Sequence, residues 1–248
     1  SLIVSLLQSI SDKPIKTFTI GFDDKNYNEA INAKKIANYL KTEHTELYLN
    51  EKDVLDVIPL LPFIFDEPFS DSSQIPTFLV SKLAKNKVSV VLSGDGGDEL
   101  FAGYQVFYPT FFKELLLSGR IKRFINEWNK LSNSPTTANY ILKEWAQDVL
   151  SILPTTFTKG LFKRKKVAFQ YFKTTPQLKR KRYNKLQAHL KAYREGPALK
   201  GLLRWEDRCS MQYSIESRTP FADALFLVNE VEKLSATKLI HEGWSKYA

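Results

Sequence analysis

The segment Ser93–Tyr104, S-G-D-G-G-D-E-L-F-A-G-Y, concentrates residue types that could handle a phosphorylated ligand. Three glycines within four positions let backbone N–H groups approach a ligand closely, and Ser93 adds a hydroxyl. Asp95, Asp98 and Glu99 would repel a polyphosphate unless a hard cation lay between them, and Mg²⁺ accepts such oxygen ligands. The alternative is a tight turn whose acidic residues only complement the dipole of the next helix.

The elements before this segment determine where it lies. The continuously apolar run Val88–Leu92 predicts a strand buried on both faces. β-Branched and aromatic residues predict two earlier strands, Ile15–Gly21 and His44–Leu49. Helical spacing of apolar residues predicts helices over 1–10, 30–40, 51–65 and 73–86. This alternation implies an α/β fold with a parallel sheet, whose strand ends bind ligands.

Strand patterns stop after about residue 105. Helical patterns follow over 105–117, 121–131, 137–153, 183–193 and 199–213, separated by Pro, Gly and Ser. We therefore predict two regions: 1–104, part of the α/β sheet, and 105–248, a mainly helical part of the same domain.

Composition excludes several classes of protein. The chain has 248 residues, 43% of them hydrophobic, which is typical of a globular fold. A single cysteine, Cys209, excludes a disulfide framework, and three scattered histidines argue against a histidine-rich metal centre. Hydrophobic runs are too short to span a bilayer, and no signal peptide pattern is visible. We expect a cytoplasmic protein, and we expect Cys209 to be a small core residue of a helix.

The net charge of +9 comes from one segment. Residues 159–204 hold 15 Lys or Arg and one acid, Glu195, so the rest of the chain is net acidic. Nucleic-acid binding is one interpretation, although no recognised binding motif accompanies the charge. A solvated helical surface or a stretch lining a phosphate pocket is the other, and 163–182 is the best candidate for a mobile loop.

Four ordered motifs carry a family resemblance. Val90–Tyr104 resembles the signature of the synthetase domain of glutamine-dependent asparagine synthetases. Asp66–Asp71 resembles that family's acidic loop, and Arg204–Asp223 resembles its D-R-x-S-M and E-x-R-x-P-F-x-D signature. Lys238–Ala248 resembles its closing G-x-[ST]-K. The resemblance touches most of the chain, but 105–200 holds little that is diagnostic.

The resemblance implies a twisted parallel sheet of the adenine nucleotide α-hydrolase type, with ATP and Mg²⁺ as cofactors. The side-chain carboxylate of aspartate attacks the α-phosphorus of ATP, which gives β-aspartyl-AMP and pyrophosphate. Ammonia, supplied from glutamine by a separate N-terminal domain, then displaces AMP. Cation clamps suit this chemistry because charge develops on the phosphates.

Residue roles follow from the resemblance by matching position. Asp95, Lys246 and Glu216 would be catalytic, Asp71 and Arg218 would border the substrate pocket, and Asp98 would bind magnesium. The ATP-binding set is Ile20, Gly21, Ser93, Gly94, Gly96 and Gly97. For Lys246 the alternative is an ordinary solvated lysine, and for Glu216 with Arg218 it is a structural ion pair.

The resemblance leaves several points open. The family's S-G-G-x-D-S loop and its glutaminase domain do not occur in these 248 residues. We therefore expect a fragment cut at both ends, and one that is inactive in isolation. Related enzymes with the same signature act on other carboxylates, namely sugar acids, peptides and β-lactam precursors. A homodimer and a nucleic-acid-binding helical module also stay open, and no membrane partner is expected.

Overall fold

The computed structural model describes residues 1–23, 28–66, 71–131, 135–150 and 182–247. The first half of the basic segment (159–181), all of the predicted mobile loop 163–182 except Arg182, and the acidic-loop residues 67–70 lie outside these ranges. None of the helices in the described part is long and apolar enough to cross a membrane.

Four parallel strands belong to one part of the fold. They are β1 (Lys16–Phe22), β2 (Glu43–Leu49), β3 (Val90–Leu92) and β4 (Glu216–Arg218). β1 pairs with β2 from Lys16 opposite Glu43 to Phe22 opposite Leu49, and β3 pairs with β4. The predicted parallel pairing is confirmed, but in the described residues the strands form two two-stranded sheets and not one.

Helices make up most of the described chain. In the first half they are α1 (Leu2–Ser9), α2 (Ala30–Leu40), α3 (Glu51–Val57), α4 (Leu61–Ile64), α5 (Gln74–Ala84) and α6 (Gly97–Phe101). The central helices are α7 (Tyr108–Leu117), α8 (Ile121–Leu131), α9 (Pro135–Leu150), α10 (Leu186–Glu195) and α11 (Pro197–Met211). Short helices close the chain: α12 (Pro220–Asp223), α13 (Leu225–Glu232) and α14 (Ala236–Leu239). 3₁₀ turns occupy Ile58–Leu60 and Gln105–Phe107.

Three sequence predictions need correction. β3 is not buried on both faces, because Val90 and Leu92 are 43% and 41% exposed and, in the part of the chain that the structure describes, the strand pairs only with β4. Strands do not stop at residue 105, since β4 forms from Glu-Ser-Arg, a sequence without any apolar signal. The helix predicted over 51–65 is interrupted after Val57, where Pro59 removes a backbone donor.

Cα packing divides the chain into two compact units, each discontinuous in sequence. The first comprises Ser1–Gly96 with Gly196–Leu225, and the second comprises Gly97–Glu195 with Phe226–Ala248. All four strands fall in the first unit. This partition follows spatial packing, whereas the predicted regions 1–104 and 105–248 follow composition and stay a prediction.

Each unit has its own apolar core. In the first unit, Phe78, Leu79 and Cys209 are buried with Leu49 and Val57 between α5, α11 and the β1–β2 sheet. In the second, buried aromatic and aliphatic side chains of α7 dominate; its fully buried members include Phe107, Phe111, Phe112, Leu115, Ile141, Leu186 and Leu190. The burial predicted for Cys209 is confirmed, and burial also raises the pKa of its thiol to about 12.

Candidate functional site

The turn after β3 is closed by its own side chains. The Ser93 hydroxyl donates to Asp95 Oδ2 over 2.7 Å, and the Asp95 N–H donates back to Ser93 Oγ over 3.3 Å. The Ser93 N–H donates to the Arg218 carbonyl in the adjacent strand, β4. The strand end therefore brings Ser93, Asp95 and the backbone of Arg218 together.

Gly96 is required at its position in this turn. Its φ is +87°, a conformation that residues with a Cβ rarely adopt, and an added Cβ would lie 2.9 Å from the Ala222 nitrogen. The P-F-A-D segment at α12 thus packs directly against the glycine-rich turn. This structural demand is independent of any ligand role for Gly96.

A neighbouring carboxylate, Glu206 in α11, received no role from the sequence. It accepts a hydrogen bond from the Ser217 hydroxyl over 2.7 Å. Burial raises the pKa of Glu206, the Ser217 hydrogen bond lowers it, and the negative charge of Asp95 raises it further. A partly buried carboxylate with a raised pKa beside a candidate ligand loop is typical of functional sites. Its position in R-W-E-D-R was visible in the sequence, but its burial was not.

Glu206 also lines a cavity of about 410 Å³ within the first unit. Its lining also includes Ser93, Gly94, Lys16, Thr17, Thr77 and Ser81. Most of the remaining lining is apolar and comes from α1, β1, α5 and β3; it includes Ile3, Val4, Leu7, Phe18, Val80 and Val91. The cavity therefore combines a mostly apolar lining with the Lys16 side chain and several hydroxyl groups.

Glu216 and Arg218 form an ion pair along β4. Arg218 Nε lies 2.8 Å from Glu216 Oε1, and the two side chains are 61% and 58% exposed. Exposed pairs of this kind contribute about 0–1 kcal/mol to stability. The pairing agrees with the structural interpretation of these two residues and leaves both accessible to a ligand.

The other predicted residues of the first unit have local partners. Ile20 packs against the apolar core of the unit, and Gly21 is buried beside the Tyr48 ring. The Asp71 carboxylate accepts the Ser73 N–H over 2.9 Å and the Ser73 hydroxyl over 2.6 Å, just before α5. These contacts form an Asx turn, which gives Asp71 a local structural role.

In the second unit, Asp98 and Lys246 come together from distant parts of the chain. Lys246 Nζ lies 2.6 Å from Asp98 Oδ1, and the side chains are 50% and 32% exposed. Both pack against Gly103, where an added Cβ would overlap the Asp98 carboxylate and the Lys246 side chain. Lys246 is therefore not an isolated solvated lysine, and Gly103 has a role in the site that the sequence did not assign.

Glu99, next to Asp98, faces inwards. Its side chain is 1% exposed and its Oε1 accepts the Tyr104 hydroxyl over 2.9 Å. Burial, followed by the hydrogen bond to Glu99 and the charges of Glu99 and Asp98, raises the pKa of Tyr104. Glu99 therefore anchors the end of the motif, while Asp98 is the carboxylate that solvent can reach.

The parallel strands and the surrounding helices define a mixed α/β protein. The glycine-rich turn at a strand end is a candidate phosphate contact of the first unit, and the acid–lysine pair is a candidate phosphate contact of the second. The chain matches the asparagine synthase family over residues 1–248. It belongs to that family, whose members are carbon–nitrogen ligases that use ATP.

Individual relatives match over parts of the chain. A protein of Methanocaldococcus jannaschii, assigned as a second glutamine-hydrolysing asparagine synthetase, is 44% identical over 105 residues, covering 42% of this chain and 20% of that protein. Asparagine synthetase 1 of Bacillus subtilis is 36% identical over 107 residues, covering 43% and 17%. The Mus musculus enzyme is 32% identical over 149 residues, covering 58% and 26%. The matched part thus spans about a quarter or less of these relatives.

Proposed function

We propose that this chain contributes the synthetase chemistry of a glutamine-dependent asparagine synthetase. The observation that carries the proposal is the family match over residues 1–248, and the names of the relatives agree with it. In this proposal aspartate is activated by ATP to β-aspartyl-AMP with release of pyrophosphate. Ammonia derived from glutamine by another domain then displaces AMP. The fold type would be that of the adenine nucleotide α-hydrolases, in a cytoplasmic enzyme.

Residues of the first unit would bind the nucleotide and the acceptor. Ser93, Gly94, Gly96 and Gly97, the last belonging to the second unit, would offer backbone N–H groups and a hydroxyl to phosphate oxygens. Ile20 would lie against the adenine, and Gly21 next to it would belong to the same ATP-binding set. Asp95 would act on the acyl adenylate and the incoming amine. Glu216 would be catalytic at the border of the substrate pocket, which Arg218 and Asp71 would also border.

Residues of the second unit would meet the charge of the phosphates. Asp98 offers hard oxygen ligands with about a third of its side chain exposed, which fits the donor chemistry of Mg²⁺ held by one or two carboxylates and substrate phosphates. When bound, Mg²⁺ would neutralise charge on the pyrophosphate leaving group. When ATP binds, the Lys246 ammonium group would leave Asp98 and pair with a phosphate oxygen. It would thus have a negatively charged partner both with and without ATP.

The proposal is tested by the nucleotide products. The complete gene product that contains this chain, given aspartate, ammonium and Mg-ATP, should release AMP and pyrophosphate in equal amounts with asparagine. Asp98→Ala should abolish pyrophosphate release, whereas Asp12→Ala, an exposed carboxylate near the start of the chain, should not. Release of ADP and phosphate would contradict the proposal, as would unchanged pyrophosphate release by Asp98→Ala.

A further inference from the structure

Glu127 is a buried carboxylate in α8 whose partners lie in the loop that carries Lys246. Its side chain is 2% exposed. Oε1 accepts the Glu242 N–H over 3.0 Å, and Oε2 accepts the Gly243 N–H over 2.9 Å. Arg123, one turn earlier in α8, lies 2.7 Å from Oε1 and supplies the opposite charge. Since a buried carboxylate is costly without donors, Glu127 favours the state in which this loop is docked.

The docked loop has a backbone that needs support. Glu242 and Lys246 have φ values of 50° and 55°, in the left-handed region that side chains with a Cβ disfavour. Successive N–H groups in such a turn form a concave anion site, and the Glu127 carboxylate fills it. Conformations of this kind persist only where surrounding contacts hold them.

Further contacts fix the loop on both sides of Glu127. The Tyr108 hydroxyl donates to the Gly243 carbonyl over 3.3 Å and also bonds Ser245. Arg123 contacts the His241 ring. The Lys246 N–H donates to the carbonyl of Phe101, the last residue of α6, over 3.1 Å. The Lys246 backbone is thereby tied to the helix that carries Asp98.

We propose that Glu127 is a positioning residue for Lys246. It acts through the backbone of Glu242 and Gly243, and it keeps the Lys246 ammonium group beside Asp98. The inference rests on the proposed function in one respect, the phosphate role of Lys246. A lysine displaced by about 1 Å loses much of its effect on a transition state, by up to about 10²-fold in rate.

Two labelling measurements test the positioning without using activity. Glu127→Gln keeps the shape of the side chain but loses the charge, and it turns one acceptor into a donor that faces a backbone N–H. Glu232→Gln is the matched control, because Glu232 is a carboxylate of the same unit whose ion-pair partner is Arg194 and not a residue of this loop. We expect amide hydrogen exchange at Glu242 and Gly243 to accelerate roughly tenfold or more in Glu127→Gln. Reductive methylation of Lys246, followed by mass spectrometry, should also accelerate, and Glu232→Gln should change neither rate.

Tyr108→Phe gives a milder perturbation if Glu127→Gln does not fold. The substitution removes the Tyr108 hydroxyl that bonds to Gly243 and Ser245. It should raise the rates of amide exchange and Lys246 methylation by a smaller factor. Glu127→Asp should restore part of the protection. Unchanged labelling of Lys246 in both Glu127→Gln and Tyr108→Phe would overturn the positioning role.

Activity then separates this inference from the proposed function. In the complete gene product, Glu127→Gln should lower kcat for aspartate-dependent pyrophosphate exchange by at least about tenfold, with a smaller change in KM for ATP. Faster methylation of Lys246 together with an unchanged rate of pyrophosphate exchange would support the positioning role of Glu127 and contradict the phosphate role of Lys246.

Discussion

The two acid–base pairs among the predicted site residues are held in different ways. Glu216 and Arg218 are two residues apart in one short strand, and more than half of each side chain is exposed. Asp98 and Lys246 are far apart in the sequence of the second unit but in contact in its fold, where both pack against Gly103. Their contact depends on the Lys246 loop, which is docked on Glu127. A local pair forms wherever a strand places its residues on one face. The distant pair forms only if the whole unit folds, so its geometry is the more informative of the two.

Gly103→Ala should have the largest effect, because it attacks the distant pair directly. The new Cβ would overlap Asp98 and Lys246, so the pair must separate, and the free energy of unfolding should fall by about 1–3 kcal/mol. Pyrophosphate exchange should fall with it. Gly201→Ala in α11 is the matched control, since its Cβ would meet Trp205 no closer than 3.5 Å and should stabilise the helix by up to about 1 kcal/mol. Equal stability of the two variants in urea denaturation would contradict the close packing at Gly103.

Glu206→Gln should have an intermediate effect that depends on pH. Because the folded protein raises the pKa of Glu206 above its usual 4.5, this residue favours folding below pH 4.5 and progressively opposes it as the pH rises through its folded pKa. The glutamine variant should therefore be more stable than the natural chain at pH 8, and the gain should shrink towards pH 4.5. Denaturation at both pH values measures this, with Asp207→Asn, exposed on the same helix, as the control. A gain that does not vary with pH would contradict burial of the charged group.

Arg218→Ala should have the smallest effect on stability. Its pair with Glu216 is exposed, so the free energy of unfolding should change by less than about 1 kcal/mol. If Arg218 binds an aspartate carboxylate, KM for aspartate should rise while KM for ATP changes little. A stability loss as large as that of Gly103→Ala would show that the two pairs are not held differently. An unchanged KM for aspartate would leave Arg218 with only its structural role.

Local patterns in the sequence predicted much of the fold. β1, β2 and most helices lie within a few residues of their predicted bounds, because apolar periodicity reports which side of an element is buried. β4 could not be predicted, since Glu-Ser-Arg pairs with β3 through backbone groups alone. The burial of β3 was predicted wrongly because a continuous apolar run does not reveal how many neighbours a strand has.

The site was predictable to the extent that its motifs are contiguous. Ser93, Asp95, Gly96 and Asp98 stand within one segment, and the resemblance marked them. The contacts of Gly103, Glu127 and Glu206 depend on which distant residues meet them in the folded chain. A single sequence carries no signal for such tertiary contacts, so the roles of these three residues are visible only in the structure.

Transfer of an oxygen atom tests the central claim most directly. The complete gene product is given aspartate labelled with ¹⁸O in its side-chain carboxylate, together with ammonium and Mg-ATP. Attack of that carboxylate on the α-phosphorus, followed by displacement by ammonia, predicts one ¹⁸O atom in the phosphate of AMP and none in pyrophosphate. Label in inorganic phosphate, or AMP formed without label, would contradict the account.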